Sequence, residues 1–255
     1  MEKLLRVGTV LVIAFLLGLV GFRYWRTRNI SRVQRGYQVA SEKGCFTCHG
    51  PGGLKGAPNP GHGLGDVPTF TGGILTMYAE TEEEIREWIL DGITRKLAAD
   101  SKQVKLREKA TVEMPAWRGL VTSRELEDLV AYIKAVSDFE KPQDEPALEG
   151  RNLARKLGCF GCHGPQGRGS MPNVRAFKGY IPSWDGSDFL ELAKNDEEIR
   201  EWILDGTTRR FAESSLARFF LSRQPIKMPA YRDQVSKAEL DRLVDYIHWL
   251  RQHPY

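Results

Sequence analysis

Cysteine is scarce in this chain, and its placement excludes the usual structural uses of the residue. The 255 residues contain four cysteines, in two pairs that lie more than a hundred residues apart. A four-cysteine zinc site would need the two pairs to share one metal, and would leave the histidine after each pair unexplained. A simple dithiol redox motif needs neither that histidine nor a second copy.

Each cysteine pair is followed at once by a histidine, so that residues 45–49 read CFTCH and residues 159–163 read CFGCH. Cys-x-x-Cys-His is the attachment signature of c-type haem, in which the thiols bind the porphyrin and the imidazole binds iron. One helical turn brings all three groups to the same face. The sequence predicts two covalently bound haem c groups, held by Cys45, Cys48 and His49 and by Cys159, Cys162 and His163. No cysteine remains for a disulfide.

Methionine is almost as scarce, which narrows the choice of a second iron ligand. Of five methionines, only Met114 and Met228 occupy matching positions, each opening a Met-Pro-Ala-aromatic-Arg sequence. Core packing is the common role of methionine, but a matched pair after the haem motif favours iron ligation. A thioether raises the potential of the iron, and a six-coordinate iron has no position open to a substrate. We expect the remaining histidines not to be ligands: His62, His248 and His253.

The chain repeats itself with an offset of 114 residues, and the segment EIREWILDG at 84–92 recurs at 198–206. Apolar residues follow helical spacing in both copies, and no alternating strand pattern is present. The sequence predicts an all-α protein with a membrane anchor and basic arm at 1–30, tandem domains at 31–140 and 149–255, and a linker at 141–148.

Local signals place three main helices in each copy. The first helix leads into the haem motif, the middle helix starts at a capping residue and stops at glycine, and the last helix opens with Ser/Thr-x-x-Glu. The first helices are predicted at 31–43 and 149–157. The middle helices start at the caps Thr81 and Asn195 and stop at Gly92 and Gly206, and the last helices start at the caps Thr122 and Ser236.

The longest apolar run covers residues 7–22. It is short for a spanning helix of about 20 residues and long for a signal-peptide core of roughly 7–15 residues. No small-residue cleavage site follows, and Tyr24 and Trp25 stand where interfacial aromatics belong. We therefore expect an uncleaved anchor rather than a signal peptide.

The charges beside this run conflict with the haem chemistry. Five arginines follow the run and two basic residues precede it, so the positive-inside rule puts the following domains in the cytoplasm. Bacterial haem attachment takes place outside the cytoplasmic membrane. We give the haem priority and predict a single-pass inner-membrane anchor with periplasmic domains. The basic arm then contacts anionic lipid or a partner subunit.

Net charge is +6 over residues 1–35, −5 over 36–146 and +3 over 147–255. The basic balance therefore comes from the N-terminal arm and gives no support for nucleic-acid binding. The opposite charges of the two copies either orient a redox partner or are solvated surfaces.

On these motifs each copy resembles a class I cytochrome c domain, and the whole resembles membrane-anchored dihaem cytochromes c. The resemblance implies that a glycine of the first helix packs on an aromatic of the last, as Gly36 on Tyr132 and Gly150 on Tyr246. It also implies that a proline carbonyl accepts a hydrogen bond from the ligand histidine. Pro58 and Pro172 are our candidates, and Pro68 and Pro182 also match each other.

Three further matched or contrasting features stay open at this stage. Trp88 and Trp202 either donate to a haem propionate, as a tryptophan of the family does, or fill the core. Arg118 and Arg232 either pair with propionates or lie at the surface. The segment 211–221 is more apolar than its counterpart, and we expect core packing in preference to a docking patch.

The resemblance implies a dihaem electron carrier between a membrane oxidoreductase and an acceptor outside the cytoplasm. The expected partners are the membrane, subunits of a respiratory or photosynthetic complex, with a cytochrome bc-type assembly favoured, and soluble carriers. The enzyme alternative is a dihaem peroxidase or thiosulfate dehydrogenase with one open haem site. A haem sensor or a structural subunit is the third class.

Overall fold

The computed structural model describes residues 2–255, with side chains described for 6–24 and 28–255. Across the described chain there is no β-strand, and the extended pairing consists of single bridges between Pro58 and Asp66 and between Pro172 and Tyr180. The predicted all-α class is confirmed.

The first helix, α1, spans Glu2–Thr27. Its segment Arg6–Tyr24 has 19 residues, a mean hydropathy of 2.0 and no burial against the rest of the chain. A helix of that length reaches across a bilayer core, so α1 can span a membrane by length and composition. The side chain of Trp25, our second interfacial aromatic, lies outside the described residues.

The two copies then follow with corresponding helices. The first domain contains α2 Arg32–Glu42, α3 Cys45–His49, α4 Gly72–Thr76, α5 Glu82–Asp91, α6 Arg95–Ala98, α7 Ser101–Arg107 and α8 Ser123–Ser137. The second contains α9 Glu145–Lys156, α10 Phe160–His163, α11 Phe189–Leu192, α12 Asp196–Asp205, α13 Arg209–Glu213, α14 Ser215–Arg223 and α15 Lys237–Gln252. Single 3₁₀ turns at Pro51–Gly53 and Pro165–Gly167 follow the two haem motifs.

The main packing contact of each domain is a close crossing of its first and last helices. A Cβ added to Gly36 on α2 would lie 1.9 Å from the carbonyl oxygen of Asp128 and 2.7 Å from Cβ of Tyr132 on α8. The same atom on Gly150 would lie 1.8 Å from the carbonyl oxygen of Arg242. Glycine is needed at both positions because no side chain fits between the backbones.

Helix ends follow the local signals in the sequence. Thr81 and Asn195 accept hydrogen bonds from the third backbone N–H of their helices, and Thr122 and Ser236 form complete capping boxes. Gly92 and Gly206 end the middle helices in the left-handed region, with φ of 68° and 70°, where glycine avoids a steric penalty.

Helix α9 begins at Glu145 and not at residue 149, where we predicted the first helix of the second copy to start. Asp144 caps it by accepting from the backbone N–H of Ala147 at 3.1 Å. Pro146 lies in the first turn, where the missing N–H has no helical partner in any case. The second half of the predicted linker is therefore helical.

Candidate functional site

Each domain contains one apolar cavity lined by the four predicted haem ligands of that repeat. The first, of about 200 Å³, lies between α3 and the loop before α8. The second, of about 460 Å³, occupies the corresponding place in the second domain. No group of three or more His, Cys, Asp or Glu side chains within the described chain forms a metal site, so the four cysteines do not meet as a zinc site. The cavities are lined by Cys45, Cys48, His49 and Met114, and by Cys159, Cys162, His163 and Met228.

The cysteine side of each cavity is a single helical turn. Gly44, with φ of 76°, turns the chain between α2 and α3, and the turn brings both thiols and the histidine to the cavity wall. Burial raises the pKa of Cys159 to about 11, and it also raises the pKa of Cys45. A reactive thiol has a lowered pKa, so Cys45 and Cys159 do not resemble the nucleophile of a redox pair.

The carbonyl that accepts a hydrogen bond from each cavity histidine belongs to a different proline from the one that we predicted. His49 Nδ1 lies 2.7 Å from the carbonyl oxygen of Pro68, and His163 Nδ1 lies 3.4 Å from that of Pro182. Pro58 and Pro172 were the wrong candidates for this acceptor. Each instead forms the β-bridge that reverses the loop, and the chain returns past the histidine only after the bridge.

The hydrogen bond to the proline carbonyl fixes the orientation and the tautomer of each imidazole. With Nδ1–H donated to the carbonyl, the lone pair of Nε2 is free to bind iron. Burial lowers the pKa of His163 to about 4, and it also lowers the pKa of His49. Both rings are therefore neutral near pH 7, which is the form that binds a metal.

An aromatic ring packs against each histidine, and we did not predict this contact from the sequence. The Phe70 ring centroid lies 4.6 Å from that of His49, and Trp184 lies 4.9 Å from His163. Positions 70 and 184 match at the repeat offset, two residues after the accepting prolines. That shared placement was the available signal.

The methionine side is held by the end of the middle helix. A Cβ on Gly92 would lie 2.3 Å from the carbonyl oxygen of Met114, and one on Gly206 would lie 2.4 Å from that of Met228. Three residues later, the backbone N–H groups of Trp117 and Tyr231 donate to the carbonyls of Ile89 and Ile203. These contacts fix where each Met-Pro segment crosses the cavity.

Two buried asparagines tie the distant loop to the methionine segment. Asn59 Nδ2 donates to the carbonyl of Val112, and Asn59 Oδ1 accepts from its N–H, both at 2.9 Å. Asn173 makes the same pair of contacts with Ile226, at 2.9 and 3.3 Å. The Pro-Asn dipeptides therefore position the loop before the methionine, a role that we did not predict from the sequence.

The tryptophans line the cavities but use their N–H groups elsewhere. Trp88 Nε1 donates to the carbonyl of Tyr78, and Trp202 Nε1 donates to that of Leu192, both at 2.9 Å. The core alternative therefore describes them better than propionate binding, although their rings remain part of the cavity wall.

The matched arginines are surface residues. Arg118 forms a bidentate pair with Asp91 at 2.8 and 2.7 Å, and Arg232 forms one with Asp205. Both arginines stay largely exposed. The surface alternative describes them, since their donors already face a carboxylate.

The other histidines differ from one another. His62 lines the first cavity, with Nε2 at 3.4 Å from the Tyr78 hydroxyl, so it is not the simple surface residue that we expected. His248 Nε2 lies 2.8 Å from Asp196 Oδ1. His253 stacks on Trp249 with ring centroids 4.6 Å apart.

The apolar segment 211–221 is not core, which corrects our expectation. Neither α13 nor α14 has a buried residue. The second cavity is lined by Phe211, Leu216, Phe220 and Leu221, of which Leu216 is 63% exposed. The segment therefore forms part of the cavity wall, where Phe211 lies against Trp202 and Phe220 lies against Phe177.

Comparisons with known proteins agree with this geometry. The profile of the Cytochrome c family matches residues 33–137 and again residues 147–251. Over 128 residues the chain is 27% identical to "Cytochrome c oxidase subunit 2" of Alkalihalophilus pseudofirmus. That match covers 50% of this chain and 32% of the relative, so the chain spans about a third of that protein's length.

A solved structure also matches over most of the chain. It is a chain of the reducing HAO-like protein complex of Kuenenia stuttgartiensis, with 19% identity over 85% of this chain and 96% of that one. The TM-score is 0.27, which is too low to indicate a shared overall arrangement.

Proposed function

Because the chain belongs to the cytochrome c family, we propose that it is a dihaem carrier that passes single electrons between a membrane oxidoreductase and an acceptor outside the cytoplasm. The family implies covalently bound haem c and haem-based electron transfer. The observation that carries the proposal is that two cysteines, a histidine and a methionine line one apolar cavity in each domain.

The residues present fit a haem c group in both cavities. Cys45 and Cys48 would hold the first porphyrin, and His49 and Met114 would bind its iron. Cys159, Cys162, His163 and Met228 would do the same in the second domain. The haem supplies one-electron chemistry, and the protein supplies ligands, orientation and a cavity shielded from water.

Methionine ligation is the reason to propose a carrier in preference to an enzyme. A dihaem peroxidase or a thiosulfate dehydrogenase needs one iron with an open or displaceable position. Here both cavities contain a methionine whose backbone is held against the end of the middle helix, α5 or α12. An iron bound by both a histidine and a methionine would have no position open to a substrate, so it would exchange only electrons.

We further propose that the protein works as a subunit of a membrane redox complex in the inner membrane, with its haem domains on the periplasmic side. The helix α1 supplies the membrane contact. The similarity to an oxidase subunit supports the general class of setting. A cytochrome bc-type assembly is the setting that we favoured from the sequence.

The ligand assignment is tested by spectroscopy of the haem-loaded protein. Met114→Ala and Met228→Ala should each convert one haem from low spin to high spin and lower its potential in a redox titration. His248→Ala is the matched control, because His248 lies outside both cavities, and it should leave both haems unchanged. An unchanged spectrum in either methionine variant would show that its ligand is misassigned.

The setting is tested by gentle solubilisation of the membrane and capture of the protein through a C-terminal tag. Co-purification of quinol-oxidising subunits supports the cytochrome bc-type assembly, and co-purification of oxidase subunits replaces it with a terminal oxidase. If reporter fusions place the C-terminal side of α1 in the cytoplasm, the periplasmic assignment is wrong.

A further inference from the structure

The two haem domains share a polar interface beside the second haem motif. Gln166 Nε2 donates to the carbonyl of Ala135 at 3.1 Å and to Asp138 Oδ1 at 2.6 Å. Asp138 also accepts hydrogen bonds from Arg151 and Arg155. One carboxylate at the end of the first domain therefore contacts three side chains of the second.

A second set of contacts comes from the start of the first domain and the residues just before it. Asn29 donates to Asp188, and the backbone N–H of Ser31 donates to Ser170 Oγ at 3.0 Å. Asp188 and Ser170 belong to the second domain and are almost fully buried. The chain entering the first domain is therefore also attached to the second.

Tyr255 joins the two domains directly. It follows the last helix of the second repeat, yet it packs against the hydrophobic core of the first domain. Lys134 Nζ, on α8 of the first domain, lies 4.4 Å from the centroid of its ring. Arg168 Cζ, from the second domain, lies 3.8 Å from the same centroid. One aromatic ring thus contacts a cation from each domain.

Arg168 is a buried cation whose Cζ lies closer to the ring of Tyr255 than to that of Trp249, which is 5.8 Å away. Its side chain is fully buried, and Nη1 donates to Asp185 at 2.8 Å. Nε and Nη2 find no hydrogen-bond partner among the described residues. A buried guanidinium with unpaired donors is unfavourable unless another interaction compensates, and the face of Tyr255 provides a cation–π contact.

Arg168 is not a requirement of the haem fold. The matching position in the first domain is Leu54, which is 59% exposed and takes no part in an interface. The hydroxyl of Tyr255 is likewise buried without a partner among the described residues. The ring of Tyr255, and not its hydroxyl, is therefore the group that connects the domains.

We propose that Tyr255 clamps the two domains together through Arg168 and Lys134, and so fixes the separation of the two haems. The fixed arrangement of the domains follows from the contacts alone. Its consequence for electron transfer rests on the proposed function, because tunnelling between haems decays steeply with distance.

The test uses the full haem-loaded chain in detergent. Pulsed EPR on the two ferric haems gives the distribution of distances between them, and flash reduction gives the rate of electron transfer. Tyr255→Ala should broaden the narrow distance distribution and slow the transfer. Tyr255→Leu keeps an apolar side chain without a π face, and it should broaden the distribution to a smaller extent.

Two controls make the result specific. Tyr255→Phe keeps the ring and loses only an unpartnered hydroxyl, so its distances and rate should equal those of the natural protein. Leu54→Ala alters the position that matches Arg168 and should also change nothing. Low-spin spectra of both haems show that each domain is folded in every variant.

An unchanged distance distribution in Tyr255→Ala and Tyr255→Leu, with both spectra intact, would overturn the clamp. Broadening in Tyr255→Phe would overturn the role of the ring. Broadened distances with an unchanged rate would refute the consequence for electron transfer. If the natural protein shows no transfer between haems, the proposed function fails, while the distance measurement still decides the clamp.

Discussion

In each domain an ion pair joins the first helix to the last. The first helix supplies the cation in the first domain, and the last helix supplies it in the second. In the first domain, Arg35 on α2 donates twice to Asp128 on α8, at 2.7 Å each. In the second domain, Glu149 on α9 forms an ion pair with Arg242 on α15, with 3.2 Å between Oε2 and Nε. The shared requirement is a charged contact beside the glycine crossing, and either helix can supply the cation.

The domains also differ in the helix that lies before the methionine segment, α7 in the first domain and α14 in the second. Lys102, Lys105 and Arg107 in α7 are matched by Leu216, Phe219 and Leu221 in α14. Arg107 is the residue of α7 that lines the first cavity, whereas α14 lines the second with Leu216, Ala217, Phe220 and Leu221. The same fold therefore has basic residues at these three positions of α7 and apolar residues at the matching positions of α14.

The largest effect is expected at the helix crossing, and it should be similar in both domains. Gly36→Ala and Gly150→Ala each place a methyl group within 2 Å of a backbone oxygen. We expect destabilisation at or above the roughly 3 kcal/mol upper end of ordinary overpacking costs, with loss of the low-spin haem of that domain. Gly63→Ala, where an added Cβ meets no atom within 4 Å, is the control. A Gly36→Ala protein that retains both low-spin haems would show that the crossing can relax.

An intermediate effect is expected from the reversed ion pairs, and here the domains should differ. The Asp128 side chain is 5% exposed, and that of Glu149 is 57% exposed. Asp128→Asn should therefore cost about 2 kcal/mol, because it weakens a buried charge-assisted pair. Glu149→Gln should cost less than about 1 kcal/mol. Hydrogen exchange in the full chain measures each domain separately, and equal losses would refute the contrast.

The smallest effect concerns acid stability. Hydrogen bonds from Arg210 lower the pKa of Glu198 from 4.5 to about 2. A carboxyl with a lowered pKa stabilises the fold above its unfolded pKa, and this contribution is lost as pH falls through the folded pKa. The second domain should therefore lose stability, by less than about 1 kcal/mol, between pH 4.5 and pH 2.

Glu198→Gln should remove this acid-dependent part, which hydrogen exchange as a function of pH can measure. The matched control is Glu84→Gln, at the position that corresponds to Glu198. The position that corresponds to Arg210 holds Lys96, which pairs with Glu80 and not with Glu84. If Glu198→Gln follows the same pH dependence as the natural protein, the pairing with Arg210 does not stabilise the domain.

Features that depend on neighbouring residues could be predicted from the sequence. The caps at Thr81, Asn195, Thr122 and Ser236 were found because a helix N-terminus has unpaired N–H groups that only local side chains reach. The helix start at Glu145 was missed because Pro146 was taken as part of a stiff linker, although proline is also accepted in a first helical turn.

The errors at the candidate sites have a different origin. Pro58 was preferred to Pro68 because Pro58-Asn59 resembles a Pro-Asn stretch of the family. Both prolines match their counterparts in the second copy, and spacing alone does not show which carbonyl returns to the histidine. The indole N–H of Trp88 and the guanidinium of Arg118 were left open because their partners, Tyr78 and Asp91, were not known.

By itself, the sequence determined the tandem repeat, the helical class, the family resemblance and the paired Cys-Cys-His and Met residues, since these follow from spacing along the chain. Only the tertiary structure decided which proline faces each imidazole, which way each ion pair runs, and that Tyr255 lies between the domains. These contacts join residues that are far apart in the sequence. They are therefore decided by how the helices and loops pack, and not by local propensity.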